Sequence, residues 1–536
     1  GVPTTKKGLA KAGPFLFAFY LTGADLIAIE RSVLPKRGRV EFSVFYCQAA
    51  PTMKFIVKLF PEITIKSKPV RRRFIQRLQS NLQVVLRRID PKAHVCAQWD
   101  KVTVETRVED PSQIAALTQA MQETPGIAYF LRVQQYPLGD FEQVFQVTRS
   151  IYEEQLAGKR FVVRVRRAGK HDFTSLDLER YVGGGLLQHT DALSVDLRDP
   201  EVTVNIEVRD QSLFVVEQRY PGLGGFPLGS QDAVLSLISG GFDSTVSSYM
   251  TIKRGCRTHY CFFNLGGAAH ETGVKQVSHF IWKKFASSHR VKFVSVPFDA
   301  VVAEILTKVH HSQMGVVLKR MMMRAGAQVA ERLGIEALVT GESVAQVSSQ
   351  TLPNLAVIDS VIDTLVLRPL IVTDKQDIID TAKRIGTYDF AKSMPEYCGV
   401  ISDRPTTHAK RDRIEKEETE FDFAVLDKAI ADSKVIRIDQ IEAEVQAQIE
   451  IENQQQVQAS EVIIDVRHPV EEERDPLQMG DIEVLKIPFY SLATEFAQLD
   501  TERQYLLYCD RGVMSQLHAL YLKEQGYTNV KVYRPV

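Results

Sequence analysis

The run Ala233-Val234-Leu235-Ser236-Leu237-Ile238, followed at once by Ser239-Gly240-Gly241-Phe242-Asp243-Ser244-Thr245, constrains the fold of this chain more than any other stretch. The first six residues are continuous, apolar and rich in branched side chains, the pattern of a strand buried in a parallel sheet. Val246 to Ile252 reads as helix. A strand, a Gly-Gly turn and a helix start bring several backbone N–H groups to one point, where the helix dipole also favours negative charge. Gly240 and Gly241 allow a phosphate to approach the backbone closely, and Ser239, Ser244 and Thr245 add hydroxyl donors around Phe242. Asp243 would repel phosphates unless it binds Mg²⁺ or orients another group. The pattern G-x-x-x-x-G-K-[ST] is absent, so no lysine of that kind grips a γ-phosphate. An ordinary Gly-Gly turn between strand and helix is the alternative.

From Asp232 to about Ala409 strands and helices alternate: Thr258–Phe263, a helix over 272–289, Val291–Val296, a helix over Met314–Leu333, then Ala337–Thr340. That order predicts a doubly wound parallel sheet, whose ligands sit beyond the carboxyl ends of its strands. The same rule points to Gly341-Glu342-Ser343, Gln346 and Gln350 after a later strand, and to Lys375 opening a helix after Asp374. Lys375 can neutralise phosphate charge in a transition state or be plain surface. Met321-Met322-Met323 reads as core filler. The loop as a whole resembles the SGGxDS pyrophosphate loop of the ATP-pyrophosphatase class, which cleaves ATP between the α- and β-phosphates.

The chain carries 66 Lys+Arg against 66 Asp+Glu, but the balance hides an asymmetry. From Met53 to Arg107 there are 13 basic and 4 acidic residues; from Glu415 to Asp475 there are 6 and 18. A basic front suggests a polyanionic partner. Within it, Lys159-Arg160-Phe161-Val162-Val163-Arg164-Val165-Arg166-Arg167 alternates basic and apolar residues, so a strand packs one face and presents cations, the candidate RNA-binding set Lys159, Arg160, Arg164, Arg166 and Arg167, on the other. The opening Pro14–Leu21 run is too short for a membrane span, and Met53-Lys54-Phe55-Ile56-Val57-Lys58 starts a clean strand. Residues 1–52 are therefore expected to be an upstream extension, a targeting segment being the alternative. Six scattered cysteines exclude a disulfide framework and a CxxC metal or iron–sulfur site, so the expected compartment is reducing and cytoplasmic, with no metal ligand set.

Cys398 lies in a Pro/Gly-bounded loop. At the far end, Tyr505-Leu506-Leu507-Tyr508 reads as a buried strand ending at Cys509-Asp510-Arg511-Gly512-Val513-Met514-Ser515. Convergent N–H groups, a helix dipole and Arg511 favour a thiolate or persulfide anion there. Phosphatase loops of like spacing end on arginine, where this chain has Ser515.

Three resemblances follow from these motifs. Residues 126–228 resemble a THUMP tRNA-binding domain, 461–536 a single rhodanese domain, and the whole order from Met53 resembles the tRNA 4-thiouridine synthetase family in its long form. The resemblance implies a multidomain α/β and α+β chain: a ferredoxin-like unit over 53–125, THUMP over 126–228, a doubly wound ATP-pyrophosphatase domain over 229–439, a linker over 440–460, and rhodanese. It also implies ATP and Mg²⁺ as cofactors, tRNA, a cysteine desulfurase and a thiamine sulfur-carrier protein as partners, and no membrane. By the same resemblance Asp243 and its loop serve ATP, Lys375 serves adenylation of uridine O4 at tRNA position eight, Cys509 carries the persulfide, and Cys398 is its partner thiol. Two other readings stay open: an RNA-binding module without chemistry, and a sulfur carrier for thiamine alone.

Overall fold

The computed structural model describes residues 53–97, 101–265, 267–394, 404–448 and most of 453–535, together with the antiparallel pair Phe19–Thr22 and Asp25–Ala28. The rest of residues 1–52, expected to be an upstream extension, lies outside the described residues.

The basic front folds as β1 (Met53–Leu59), α1 (Lys68–Leu86), β2 (His94–Ala97), β3 (Lys101–Thr106), α2 (Pro111–Gln122), β4 (Ile127–Pro137), α3 (Phe141–Leu156), β5 (Arg160–Ala168), α4 (Ser175–His189), β6 (Ser194–Val195), β7 (Val202–Arg209) and β8 (Ser212–Pro221). Helices α2, α3 and α4 start where side chains satisfy their free N–H groups: Asp110 accepts from Ser112 and Gln113, Asp140 forms a capping box with Gln143, and Thr174 one with Asp177. Phe74, Leu78, Leu82 and Leu86 recur along one side of α1 and are buried.

The expected ferredoxin-like and THUMP units share one eight-stranded sheet in the order β2-β3-β1-β4-β8-β7-β5-β6. Its centre is β4, which pairs antiparallel with β1 on one side and β8 on the other. Phe130 packs in the core under α1 and α2, while its neighbours Leu131 and Val133 join Ile56, Phe214 and Val216 in a separate cluster on the opposite face. The two units are thereby one body.

The middle of the chain forms a second sheet from β9 (Gln231–Leu237), β10 (Cys256–Asn264), β11 (Lys292–Pro297), β12 (Ala337–Val339), β13 (Leu365–Leu367) and β14 (Lys434–Arg437), in the order β13-β12-β9-β10-β11-β14. All pairs are parallel except the β11–β14 edge. Helices α5 (Phe242–Lys253), α6 (Gly267–Phe285) and α10 (Lys375–Ile385) bury Val246, Tyr249, Val277, Ile281 and Ile378 in one core, and α7 (Asp299–Lys308), α8 (Met314–Leu333) and α13 (Phe423–Ala431) bury Ile305, Val317, Met321 and Ile430 in the other. Between α8 and α10 run the short α9 (Leu352–Asp359) and the β13 edge; α11 (Tyr388–Ser393) and α12 (Arg411–Glu418) follow α10. Met321, Met322 and Met323 are core, as expected.

A buried ion pair ties α12 to α8. Arg320 is fully buried, bonds both oxygens of Glu418 at 2.6 and 2.9 Å, and donates to the Val357 carbonyl at 2.7 Å. Removing one partner of such a pair strands a charge in the core, so Glu418→Ala is expected to destabilise this domain by about 3–5 kcal/mol. A lowered urea midpoint of the full chain, with unchanged slope, is the expected readout.

The tail forms a third, all-parallel sheet, β15 (Asn453–Gln454), β16 (Val462–Asp465), β17 (Val484–Lys486), β18 (Tyr505–Tyr508) and β19 (Val530–Tyr533), in the order β15-β19-β18-β16-β17, with helix α15 (Leu492–Phe496) and α16 (Val513–Glu524). Helix α16 packs on α6. The hydrophobic core of one side of the middle sheet continues into Val462, Ile464, Leu507 and Leu522 of the tail.

One expectation needs correcting here. The polar segment 440–460, read as a linker, contains helix α14 (Ile441–Gln448) and the edge strand β15. Ile441 is buried, and the acidic residues read as linker charge are ion-pair partners of α6: Glu444 meets Lys275 at 3.0 Å, and Glu442 meets Lys283 at 3.3 Å and His279 at 3.6 Å. Among the described residues no helix is long and apolar enough to cross a membrane.

Candidate active site

Strand β9 is the switch point of the middle sheet, with β10 on one side and β12 on the other, and the crevice at its carboxyl end is where such sheets place ligands. The turn after β9 is built as the glycines require. Gly240 has φ +86°, a left-handed conformation, and a Cβ there would press to 3.1 Å on Val274 and Met394. Gly241 caps α5 with no side-chain bond, so the first turn of α5 is not closed by a capping side chain. Ser244 Oγ accepts from the Ser239 N–H at 3.2 Å and donates to the Gly241 carbonyl at 3.2 Å, while Thr245 Oγ1 donates to the Phe242 carbonyl at 3.0 Å. These hydroxyls shape the turn from within.

Asp243 projects to the other side of the crevice. Lys375, at the first turn of α10, donates to its Oδ1 at 2.9 Å and Oδ2 at 3.1 Å, and Gln346 donates to Oδ2 at 2.8 Å. The Lys375 ammonium also lies 5.6 Å from the centre of the Phe242 ring. Gly341 is required by its neighbour: a Cβ there would lie 2.6 Å from the Asp243 carbonyl carbon and 2.8 Å from the Ser244 nitrogen. Beneath it Glu342 is buried against Arg368 (2.8 Å) and Thr340 (3.0 Å). Burial pushes Glu342 up, but Lys319 and Arg368 outweigh it and hold the carboxyl below its usual range.

Two residues were not found from sequence. His270, near the start of α6, meets the Ser239 carbonyl at 3.3 Å, and burial lowers its pKa against that bond. Met394 packs on Gly240. Neither stands out from its neighbours in the chain; only the fold brings them to the turn. Gln350, expected to face a ligand, is buried, with its Oε1 accepting from the Ser343 N–H at 3.1 Å. It braces the loop because the turn over 343–350 folds back on itself. Cys398 lies outside the described residues.

In the tail, Cys509 follows β18 directly and is half-buried and free. The Ser515 N–H donates to its Sγ at 3.3 Å, and the Ser515 hydroxyl lies 3.4 Å away. Beside it, Arg467 and Asp465 form a fully buried pair at 2.7 Å, with the guanidinium 5.1 Å from the Tyr508 ring centre. Asp465 is in register with Tyr508, so this pair fixes the strand end that carries the thiol. Arg511 lies outside the described residues.

The cationic strand β5 is partly as expected. Lys159, Arg164 and Arg166 are exposed, and Val163 and Val165 between the arginines are buried. Arg160 departs from the pattern: Asp196 (3.0 Å), Asp199 (3.3 Å) and Glu201 (3.4 Å) surround it, brought there by the loop before β7, so its charge is neutralised within the domain. Arg167 stacks over Phe173 at 5.3 Å.

Comparison with known families gives the same order of units. Residues 54–130 match the ThiI ferredoxin-like domain, 139–216 the THUMP domain, 229–423 the family "Thiamine biosynthesis protein (ThiI)", and 443–534 the rhodanese-like domain. The chain is 57% identical over 484 residues to the tRNA sulfurtransferase of Shewanella piezotolerans, and 56% identical over 483 residues to that of Pseudomonas fluorescens; each match covers 90% of this chain and 100% of the relative. Among solved structures it is similar to a 4-thiouridine synthetase–RNA complex with bound ATP, with a TM-score of 0.63, 27% identity, and coverage of 72% of this chain and 99% of that one. The ferredoxin-like and THUMP front, the crevice at β9 and the thiol loop at β18 thus fall in the same order of units as in these relatives, and the chain is a member of the tRNA sulfurtransferase family.

Proposed function

We propose that the protein makes 4-thiouridine at tRNA position eight, using ATP to adenylate uracil O4 at the β9 turn and a persulfide on Cys509 as the sulfur source. The observation that carries the reading is the Asp243–Lys375 pair at the mouth of an N–H-rich turn. With the crevice half open to water the pair itself adds little stability. An incoming polyphosphate competes for the Lys375 ammonium, and the released Asp243 carboxylate then fits Mg²⁺, which is commonly held by one or two carboxylates plus substrate phosphates and, when bound, neutralises phosphate charge. Lys375 is then left to stabilise the negative charge that builds on the α-phosphate as O4 attacks and pyrophosphate leaves.

Sulfur enters as Cys509–S–SH, loaded by a cysteine desulfurase. The Ser515 N–H supports an anion at this sulfur, as it supports the thiol. Attack by the Cys398 thiolate on the Cys509 sulfur gives a Cys398–Cys509 disulfide and releases HS⁻; HS⁻ adds at C4 of the adenylated uracil and AMP leaves. A dithiol reductant must then reset the disulfide. Chain connectivity favours Cys398 for this role, because four residues at about 3.5 Å each keep it within about 14 Å of Met394, which packs on Gly240. The same persulfide can serve a thiamine sulfur-carrier protein. Lys159, Arg164 and Arg166 supply salt-sensitive phosphate contacts to tRNA.

The reading is tested by incubating full-length protein with ATP, Mg²⁺, tRNA, a desulfurase and cysteine, and following AMP release and 4-thiouridine absorbance separately. Gly341→Ala shifts the Asp243 backbone by a fraction of an ångström or more, and AMP release is expected to fall by about 10²-fold. AMP release at the wild-type rate in Gly341→Ala would remove the β9 turn from the adenylation step.

A further inference from the structure

Gln346 is held in an unusual way. It follows Ala345, a non-glycine residue with φ +63°, and that left-handed turn is kept by bonds from the Ala345 N–H to the Gln350 carbonyl at 3.0 Å and from the Gln346 N–H to the Ser343 carbonyl at 3.3 Å. The turn aims the side chain at Asp243, to which Nε2 donates at 2.8 Å. An ionised carboxylate only accepts, so the amide cannot be turned round: nitrogen must face Asp243 and oxygen must face away. That oxygen, Oε1, is shielded from solvent and has no hydrogen-bond partner among the described residues. A buried amide oxygen without a donor is unfavourable and marks a place where a ligand donates.

The donor lies close to the reacting phosphate, because Asp243 and Lys375 mark that end of the crevice, and a base N–H is a group that fits there. Resting on the proposed function above, two reactants carry N–H donors on a base. The adenine amino group lies beyond the ribose, away from the α-phosphate. The uracil N3–H is next to C4 and O4, the atoms that react. The rim of the loop is apolar and open, with Val344, Val347 and Val372 exposed, a surface that suits a flat base more than a phosphate.

We propose that Gln346 is a positioning and specificity residue that accepts a hydrogen bond from N3–H of the target uracil through Oε1, while its Nε2 stays on Asp243. It would thereby set O4 toward the α-phosphate and link recognition of the base to the carboxylate beside the ATP phosphates. Cytosine, which presents a lone pair at N3, would meet the Oε1 lone pairs and be repelled.

The test is binding of tRNA transcripts carrying either uridine or 3-methyluridine at the target position to the full-length protein, with α,β-methylene-ATP present so that no chemistry occurs. Wild type is expected to bind the uridine transcript about tenfold more tightly, the value of one good hydrogen bond. In Gln346→Leu, which keeps the side-chain volume, the uridine transcript should fall to the level of the 3-methyluridine one, and Gln346→Ala should do the same. A wild-type preference that persists in Gln346→Leu overturns the proposal, as does no preference in wild type. Pyrophosphate release by wild type with ATP and unmodified tRNA tests the underlying reading separately: release without any uridine preference removes Gln346 alone, and no release removes both.

Discussion

Cys509→Ala is expected to abolish 4-thiouridine formation and the AMP release that accompanies it, while tRNA-dependent pyrophosphate release continues. The thiol stands at the end of β18 with the Ser515 N–H on its sulfur at 3.3 Å, and no other described cysteine has such a setting. Cys261, on β10, is fully buried in the core covered by α7 and α8, and burial pushes its thiol far up, so it cannot serve as a thiolate. Cys256 is likewise raised by burial and then by Asp232. The proposed adenylation site lies on a different sheet, so its rate should survive the loss of the proposed sulfur carrier. Cys398→Ala should give the same separation if the two cysteines work as a pair. Thiolation that persists in Cys509→Ala would move the sulfur carrier elsewhere. Ser515→Ala is expected to have a small effect, since the backbone N–H that meets the sulfur is retained.

Lys375→Ala is the complementary experiment, with the expected loss in AMP release rather than in sulfur loading. A positioned cation aimed at charge that develops in the transition state is worth about 10²–10³ in rate. The loss should appear in kcat with a smaller rise in the KM for ATP, because Lys375 passes from Asp243 to the phosphates when ATP binds and meets its largest charge in the transition state. Asp243→Asn removes the resting partner and the carboxylate available to Mg²⁺, and should lower AMP release at least as much. Persulfide loading on Cys509 by the desulfurase should be unchanged in both variants. A normal kcat in Lys375→Ala would leave the lysine as a surface residue.

The parts of this molecule that could be read from sequence are those in which a motif contains its own geometry. The β9 strand, the Gly240–Gly241 turn and the α5 start are contiguous, so the turn was legible as a phosphate-binding shape, as was the thiol at the end of β18. The unread parts depend on residues far apart. β4 looked like the start of a second unit because nothing in Ile127–Pro137 announces that it pairs with both Met53–Leu59 and Ser212–Pro221. Arg160 looked like its neighbours because the three carboxylates that surround it come from Asp196–Glu201. Gln350 and Gln346 were the same residue type in one loop; only the fold turns one inward to Ser343 and the other onto Asp243. The acidic, glutamine-rich stretch after 440 has the composition of a spacer, and its cationic partners on α6 lie about 160 positions earlier.

That clamped helix has a consequence for sulfur transfer. Glu442 meets Lys283 and Glu444 meets Lys275, so as α14 advances along the chain it runs back toward the end of α6 that holds His270 against Ser239. The connector therefore leads to the rhodanese-like domain from the His270 end of α6. A sulfur donor of the proposed kind, held on the same chain, acts at an effective concentration set by geometry rather than by its concentration in solution. Thiolation by the intact chain should then be insensitive to protein dilution once the persulfide is loaded, and a severed tail supplied in trans would need to approach that concentration to match it.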